Sequence, residues 1–124
     1  MYKDNIKLDS FKMTITEVDL SGTLGSQYKW IDTQNNPVAT FTTFDWWDGK
    51  NIENLKVYDT YKKKGLSYQL LDYAIKKLGC KFLAVDKGNE VAKHIYDKYG
   101  FKVSEEDENK YYMQLDDGGE NNYV

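Results

Sequence analysis

The segment Lys62-Lys63-Lys64-Gly65-Leu66-Ser67 stands where a strand pattern gives way to a helix pattern, and its residue types suit the holding of an anion. A helix N-terminus presents unpaired N–H groups and partial positive charge. Glycine there lets a phosphate come close to the backbone. Three neighbouring lysines also repel one another unless an anion lies among them. Taken alone, one glycine and three lysines read more simply as a solvated run ahead of an ordinary helix. Other chemistry is short of residues. A single histidine, His94, and a single cysteine, Cys80, argue against histidine-rich metal sites, multi-cysteine zinc sites, internal disulfides and most Ser-His or Cys-His pairs. No metal is expected.

The bulk composition narrows the classes further. The chain has 124 residues, which suits one domain, and its 40% hydrophobic and 15% aromatic content is that of a folded chain. All seventeen basic residues are lysine, and the net charge is −3. That balance opposes a general nucleic-acid-binding role, although residues 62–64 form a local basic patch. Without arginine there is no bidentate guanidinium clamp, so phosphate recognition must rest on backbone N–H groups and lysine. No apolar run approaches a membrane span. Met1 to Ser10 lacks the apolar core of a signal peptide, so a reducing, cytoplasmic setting is expected. The abundance of Lys, Asn, Asp and Tyr suggests an AT-rich coding sequence, as in a low-GC bacterium or its phage.

The elements that would position these groups follow from periodicity. Residues 11–18 alternate as a strand, and 20–26 read as a glycine-containing loop. Residues 27–33 and 38–46 form two further strands around the turn Gln34-Asn35-Asn36-Pro37. The turn Asp48-Gly49-Lys50-Asn51 leads to a fourth strand over 52–58. Leu66, Leu70, Leu71, Ala74, Ile75 and Leu78 have helical spacing, closed by Gly79. A buried strand at 82–85, a helix marked by Val91, Ala92, Ile95, Tyr96 and Tyr99, and a hairpin of 101–103 with 110–115 complete the pattern. The order is β-β-β-β-α-β-α-β-β, a mixed α/β fold with a mostly antiparallel sheet. One domain over residues 1–115 is expected, with an acidic, disordered tail over 116–124.

A second motif adds specificity. Asn89, Ala92, Tyr96 and the closing Gly100-Phe101 follow the first motif by one strand, and Val57 precedes Lys62-x-x-Gly65-x-Ser67 by five residues. With these motifs the sequence resembles the GNAT superfamily of acyl-CoA-dependent N-acyltransferases over residues 52–115, in element order as well as spacing. The resemblance implies an acetyl-CoA co-substrate and direct acetyl transfer to an amine, which would be a small amine or a group on a protein. It implies that backbone N–H groups of Lys63, Lys64, Gly65, Leu66, Ser67 and Tyr68 bind the CoA pyrophosphate, with Lys62 beside them. Leu55 and Val57 would offer main-chain groups to the thioester and pantetheine arm, added like a strand. Asn89 would contact the pantetheine or order the site, a role compatible with an ordinary helix N-cap. Tyr96 would protonate the departing thiolate, since a phenol of pKa about 10 stays protonated at neutral pH. Its plain alternative is a half-buried helical aromatic.

The sequence departs from the family pattern at two places: Lys62 stands for Arg or Gln, and Ser67 for Gly or Ala. Both are expected to weaken CoA binding, which keeps open a non-catalytic GNAT-like module that binds CoA or a protein partner. For the general base, Glu53 lies on the strand leading to Val57, and residues 53, 55 and 57 alternate as one set, which selects Glu53, acting through water, with an ordinary exposed carboxylate as its plain alternative. Asp45 and Asp48 are secondary candidates. His94 and Cys80 are assigned no chemistry. Phe44, Trp46 and Trp47 cluster at the end of the third strand as core residues, acceptor contacts or a dimer surface. GNAT domains usually carry two helices between their first two strands, forming a wall of the acceptor site. The stretch of about eight residues from Asp19 to Ser26 is too short for two helices at 1.5 Å per residue. An open acceptor groove is therefore expected, suited to a macromolecular acceptor or completed by a second subunit, in a monomer or homodimer.

Overall fold

The computed structural model describes residues 6–20, 22–46 and 49–115. Its strands and helices are β1 (Lys12–Leu20), β2 (Thr23–Ile31), β3 (Pro37–Trp46), β4 (Gly49–Val57), α1 (Leu66–Asp72), β5 (Cys80–Asp86), α2 (Glu90–Tyr99), β6 (Phe101–Glu106) and β7 (Lys110–Leu115). Short 3-10 turns occupy Leu8–Ser10 and Asp59–Tyr61, and a π-helical segment, Tyr73–Lys77, continues α1. This is the expected order in the expected mixed α/β class. The chain forms two compact units, residues 1–80 and 81–124. The expected tail, 116–124, lies outside the described residues, as do Trp47 and Asp48.

The first unit is built on an antiparallel meander, β1-β2-β3-β4. The loop expected over 20–26 is largely strand. Pairing runs one for one from Lys12↔Ile31 to Leu20↔Thr23, so only positions 21 and 22 separate the strands. Gly22 takes φ +95°, and Asp19 Oδ1 accepts its N–H at 2.8 Å. Gly25, read as loop, is instead a buried strand residue facing Val18 and Phe44. The β2–β3 turn is ordered by Asp32, whose Oδ1 accepts the N–H groups of Gln34 and Asn36, both at 2.9 Å. Asn35 sits left-handed at φ +66°, a conformation Asn tolerates.

One face of this meander packs on α1. Leu66, Leu70, Leu71 and Ala74 are buried along the helix, at the spacing the sequence showed. Tyr73, which follows α1, joins an aromatic cluster in which Tyr28 stacks on Phe41 at 5.2 Å and Tyr73 meets Trp30 edge-on at 5.4 Å. Each fully buried large apolar side chain contributes about 1.5–3 kcal/mol. Tyr28 pairs with Phe41 and Trp30 with Ala39, so these residues share the α1 face. Thr40 and Thr42 alternate onto the other face.

In the second unit β5, β7 and β6 pair antiparallel in that order. Phe101, Met113, Leu83, Val85 and Tyr96 are buried. The expected terminal hairpin turns at Asp107, whose Oδ1 accepts the N–H groups of Asn109 and Lys110 at 2.8 Å. Tyr112 donates its hydroxyl to Asp107 Oδ2 at 2.7 Å, and these bonds hold the carboxyl below its ordinary pKa. Exposed pairs such as Lys110–Asp86 at 2.9 Å and Lys93–Asp97 at 2.8 Å decorate the surface and contribute at most about 1 kcal/mol each.

Candidate functional site

The candidate donor-binding residues from Leu55 to Tyr68 belong to the first unit, and a β-bulge sets the geometry of the strand that leads to them. Thr42 pairs with Glu53 while Thr40 pairs with Lys56, so Asn54 and Leu55 together stand opposite Phe41. Asn54 adopts φ +58°, the left-handed conformation that an inserted strand residue takes more readily as Asn than as a branched residue. A bulge interrupts the hydrogen-bond ladder and re-aims the strand, which is why bulges collect beside reacting centres. The alternation argument for Glu53 therefore fails. Ile52 before the bulge and Val57 after it are both buried. Glu53 points with Thr42 onto the face away from α1, whereas Leu55 and Val57 follow the bulge onto the α1 face. Glu53 is exposed.

After β4 the chain makes the 3-10 turn Asp59–Tyr61, then residues 62–65, then α1. Lys63 and Gly65 are left-handed, at φ +63° and +80°. For Gly65 this conformation is free of steric cost; for Lys63 it costs about 1 kcal/mol and persists only where the surroundings enforce it. No side chain caps α1, and its first turn contains no acid. The N-terminal amides are thus left for another partner, in keeping with an anion. The lysines are less crowded than their sequence suggests. Lys62 is paired with Asp59 at 3.2 Å, so a carboxylate already offsets one of the three charges without any bound anion. Lys62 and Lys63 are exposed and Lys64 half-buried. Leu66 is buried, Ser67 half-buried and Tyr68 exposed.

Both ends of this loop are fastened by residues to which the sequence reading assigned no role. Tyr61 donates its hydroxyl to Asp32 Oδ2 at 2.9 Å. That bond raises the phenol pKa, and it joins the backbone bonds of the Asx turn in lowering that of Asp32. Phe11 meets the Tyr61 ring edge-on at 5.4 Å. Beyond Gly65, Gln69 accepts the Leu8 N–H at 2.7 Å and donates to the Ile6 carbonyl at 2.5 Å. A cleft of about 520 Å³ lies beside Tyr61, between the β2–β3 turn and the end of β4, with Lys56 Nζ 4.5 Å above the Tyr58 ring. Local patterns could not have revealed these contacts, because Gln69 lies some sixty positions from its partners.

The second unit carries the remaining candidate residues, Asn89 and Tyr96. Asn89 is the N-cap of α2: its Oδ1 accepts the Ala92 N–H at 3.2 Å. The plain capping role is thus realised, and the side-chain amide group remains as a donor. Tyr96, seven residues along the helix, is buried at 7% exposure, with its ring edge-on to Phe101 at 6.2 Å. Burial pushes the Tyr96 phenol up to about 12. None of the described side-chain hydrogen bonds uses its hydroxyl. Of the residues assigned no chemistry, Cys80 is fully buried, with burial pushing its thiol up to about 12, and His94 is exposed. Asp45 is engaged by Lys50 at 3.1 Å. Phe44 is half-buried. Among the described residues no cluster of three or more His, Cys, Asp or Glu could hold a metal ion.

Comparison with known proteins identifies the class. The model of the acetyltransferase (GNAT) family matches residues 10–101, and the chain belongs to that family. Solved structures of similar fold include spermidine/spermine N-acetyltransferase SpeG from Vibrio cholerae in complex with manganese ions. It shares 16% identity at a TM-score of 0.56, over 73% of this chain and 64% of that one. A dodecameric structure of the spermidine N-acetyltransferase from Vibrio cholerae in an intermediate state shares 18% identity at a TM-score of 0.55, again over 73% and 64%. At such identities the likeness concerns the fold, and the chain spans less than two-thirds of those proteins. No curated protein sequence matches the chain.

Proposed function

We propose that the chain is an N-acetyltransferase that takes the acetyl group from acetyl-CoA and transfers it directly to an amine. The observation that carries this reading is the sequence of a bulge at Asn54–Leu55, an uncapped and acid-free helix start, and left-handed Lys63 and Gly65 in a member of the GNAT family.

In this reading the amides of Lys63 to Tyr68 hold the pyrophosphate, with Lys62 to Lys64 supplying charge. Main-chain groups of Leu55 and Val57 align the pantetheine and the thioester carbonyl, and the Asn89 amide donates to the pantetheine. The acceptor arrives as an ammonium ion and loses a proton to Glu53, through water. Its nitrogen lone pair attacks the thioester carbon, and the tetrahedral oxyanion collapses as the carbon–sulfur bond breaks. Tyr96 donates a hydrogen bond to the leaving thiolate. Full proton transfer from a phenol near 12 to a thiolate of pKa about 8.5 is uphill. The nitrogen sheds a second proton as the intermediate collapses, so of the two protons it gives up one completes free CoA and the other passes to solvent.

The acceptor reading follows from what joins β1 to β2. Two positions separate these strands, so the helical wall is missing and the acceptor side is open to a large amine such as a protein side chain, or is closed by a second copy of the chain. A cytoplasmic setting belongs to the same reading, in keeping with a single, buried cysteine. The test is thiol release from acetyl-CoA across a panel of polyamines, free lysine and lysine-containing peptides. Turnover with any of these supports the enzyme. Donor binding without turnover on any amine would instead favour the non-catalytic module.

A further inference from the structure

The N-terminal segment before β1 runs across the loop that precedes α1, and one side chain holds it there. Gln69 is the fourth residue of α1, and both ends of its amide group are engaged. Its Oε1 accepts from Leu8 N–H and its Nε2 donates to the Ile6 carbonyl, two bonds to alternate residues of one extended stretch. The chain's own strap is thereby read as a strand would be. Ile6 N–H donates in turn to the Lys64 carbonyl inside the loop, at 3.4 Å. Leu8, between these contacts, is buried at 5% exposure. The strap then turns at Leu8–Ser10, and Phe11 closes on Tyr61, which Asp32 holds from the other side. Residues 62–65, two of them left-handed, are thus pinned before and after by partners distant in sequence.

We propose that Gln69 is a positioning residue: by strapping Ile6 and Leu8 over residues 62–65 it preforms the anion-binding amides, so that donor affinity depends on the N-terminal segment. The inference rests on the donor reading of this loop given above. A loop ordered before the ligand arrives does not lose its freedom on binding, and the difference is seen in affinity. Gln69 has no part in the proton transfers assigned above, so the effect is expected in binding and not in the chemical step.

The test compares wild type with Gln69→Leu, which removes both bonds, and Gln69→Glu, which keeps the acceptor for Leu8 N–H and loses the donor to Ile6. Two readouts are taken: the Kd and KM for acetyl-CoA against kcat, and amide hydrogen exchange over residues 6–11 and 62–66. Gln69→Leu is expected to raise Kd and KM about tenfold, with kcat within about twofold, and to speed exchange in both segments together. Gln69→Glu is expected to lie between. Unchanged affinity with unchanged exchange overturns the proposal, as does a fall in kcat at constant Kd. Should Gln69→Leu fail to fold, Gln69→Glu alone decides, by the same two readouts. If wild type binds no acetyl-CoA, the donor reading fails; the strap is still judged by whether Gln69→Leu speeds exchange over 62–66.

Discussion

Ile52 and Val57 are five residues apart on the same strand, yet both are buried and the register places them on one face. An unbroken strand places residues five apart on opposite faces. The inserted Asn54 reconciles them, and in doing so divides β4 into two functional stretches. The stretch before the bulge aims Glu53 away from α1. The stretch after it brings Leu55 and Val57 to the α1 side, leading into the anion loop. A carboxylate base and a backbone that aligns the donor can thus come from one strand without competing for one face.

Deleting Asn54 should therefore lower turnover sharply, because it leaves Leu55 alone opposite Phe41 and closes the hydrogen-bond ladder that the bulge interrupts, while Leu55 and Val57 keep their face. Asn54→Gly should retain both fold and activity, since glycine accepts φ +58°. Asn54→Val should cost about 1–2 kcal/mol, because a branched side chain resists the left-handed region. Denaturant unfolding alongside turnover measures all three. Full activity in the deletion variant would remove the bulge from the mechanism.

Tyr96→Phe should lower kcat by about 10- to 100-fold while leaving the Kd for acetyl-CoA nearly unchanged. The lost hydroxyl has no described side-chain partner, so the fold should lose little. Steady-state kinetics with calorimetric binding separates the two quantities. Equal losses in binding and kcat would reassign Tyr96 to packing.

Glu53→Gln should lower kcat/KM, most strongly at low pH, where the acceptor is almost wholly ammonium and needs a base. Raising the pH should recover part of the loss as free amine becomes available. A pH–rate profile parallel to wild type would show that Glu53 is an ordinary surface carboxylate.

Stability should fall at alkaline pH, and the sign follows from burial. The Tyr96 phenol and the Cys80 thiol both ionise higher in the folded chain, near 12, than the ordinary 10.0 and 9.0. The folded state thus holds protons that the unfolded chain releases. The contribution is complete below pH 9 and is lost between pH 9 and 12, at up to about 1.4 kcal/mol per pH unit for each group. Chemical denaturation across that range should show a shallower decline for Tyr96→Phe than for wild type between pH 10 and 12.

The sequence announced much of this, for reasons that are local. Helical spacing from Leu66 to Ala74, the capping Asn89 and the closing Gly100 each report a short-range preference, and all recur in the structure. The β1–β2 connection was misread because Gly22 and Gly25 both suggested a loop. Gly25 is instead a strand position, buried between Val18 and Phe44. The parity of Glu53 was misread because strand alternation carries no sign of an insertion; only the odd spacing of Ile52 and Val57 could have signalled it. The Gln69 strap and the Tyr61–Asp32 bond were beyond local reasoning, since they join residues brought together only by the folded meander.

The central claim is that residues 62–68 hold the phosphates of an acyl-CoA donor through backbone amides. It is tested most directly by thermal unfolding with acetyl-CoA, in wild type and in Gly65→Ala. Gly65 sits at φ +80°, where a Cβ is strained and the loop must shift. Wild type at a hundredfold excess over Kd should gain about 2.7 kcal/mol, and Gly65→Ala should gain much less while still unfolding cooperatively. No stabilisation of wild type by acetyl-CoA or free CoA, or equal stabilisation of both proteins, would contradict the account.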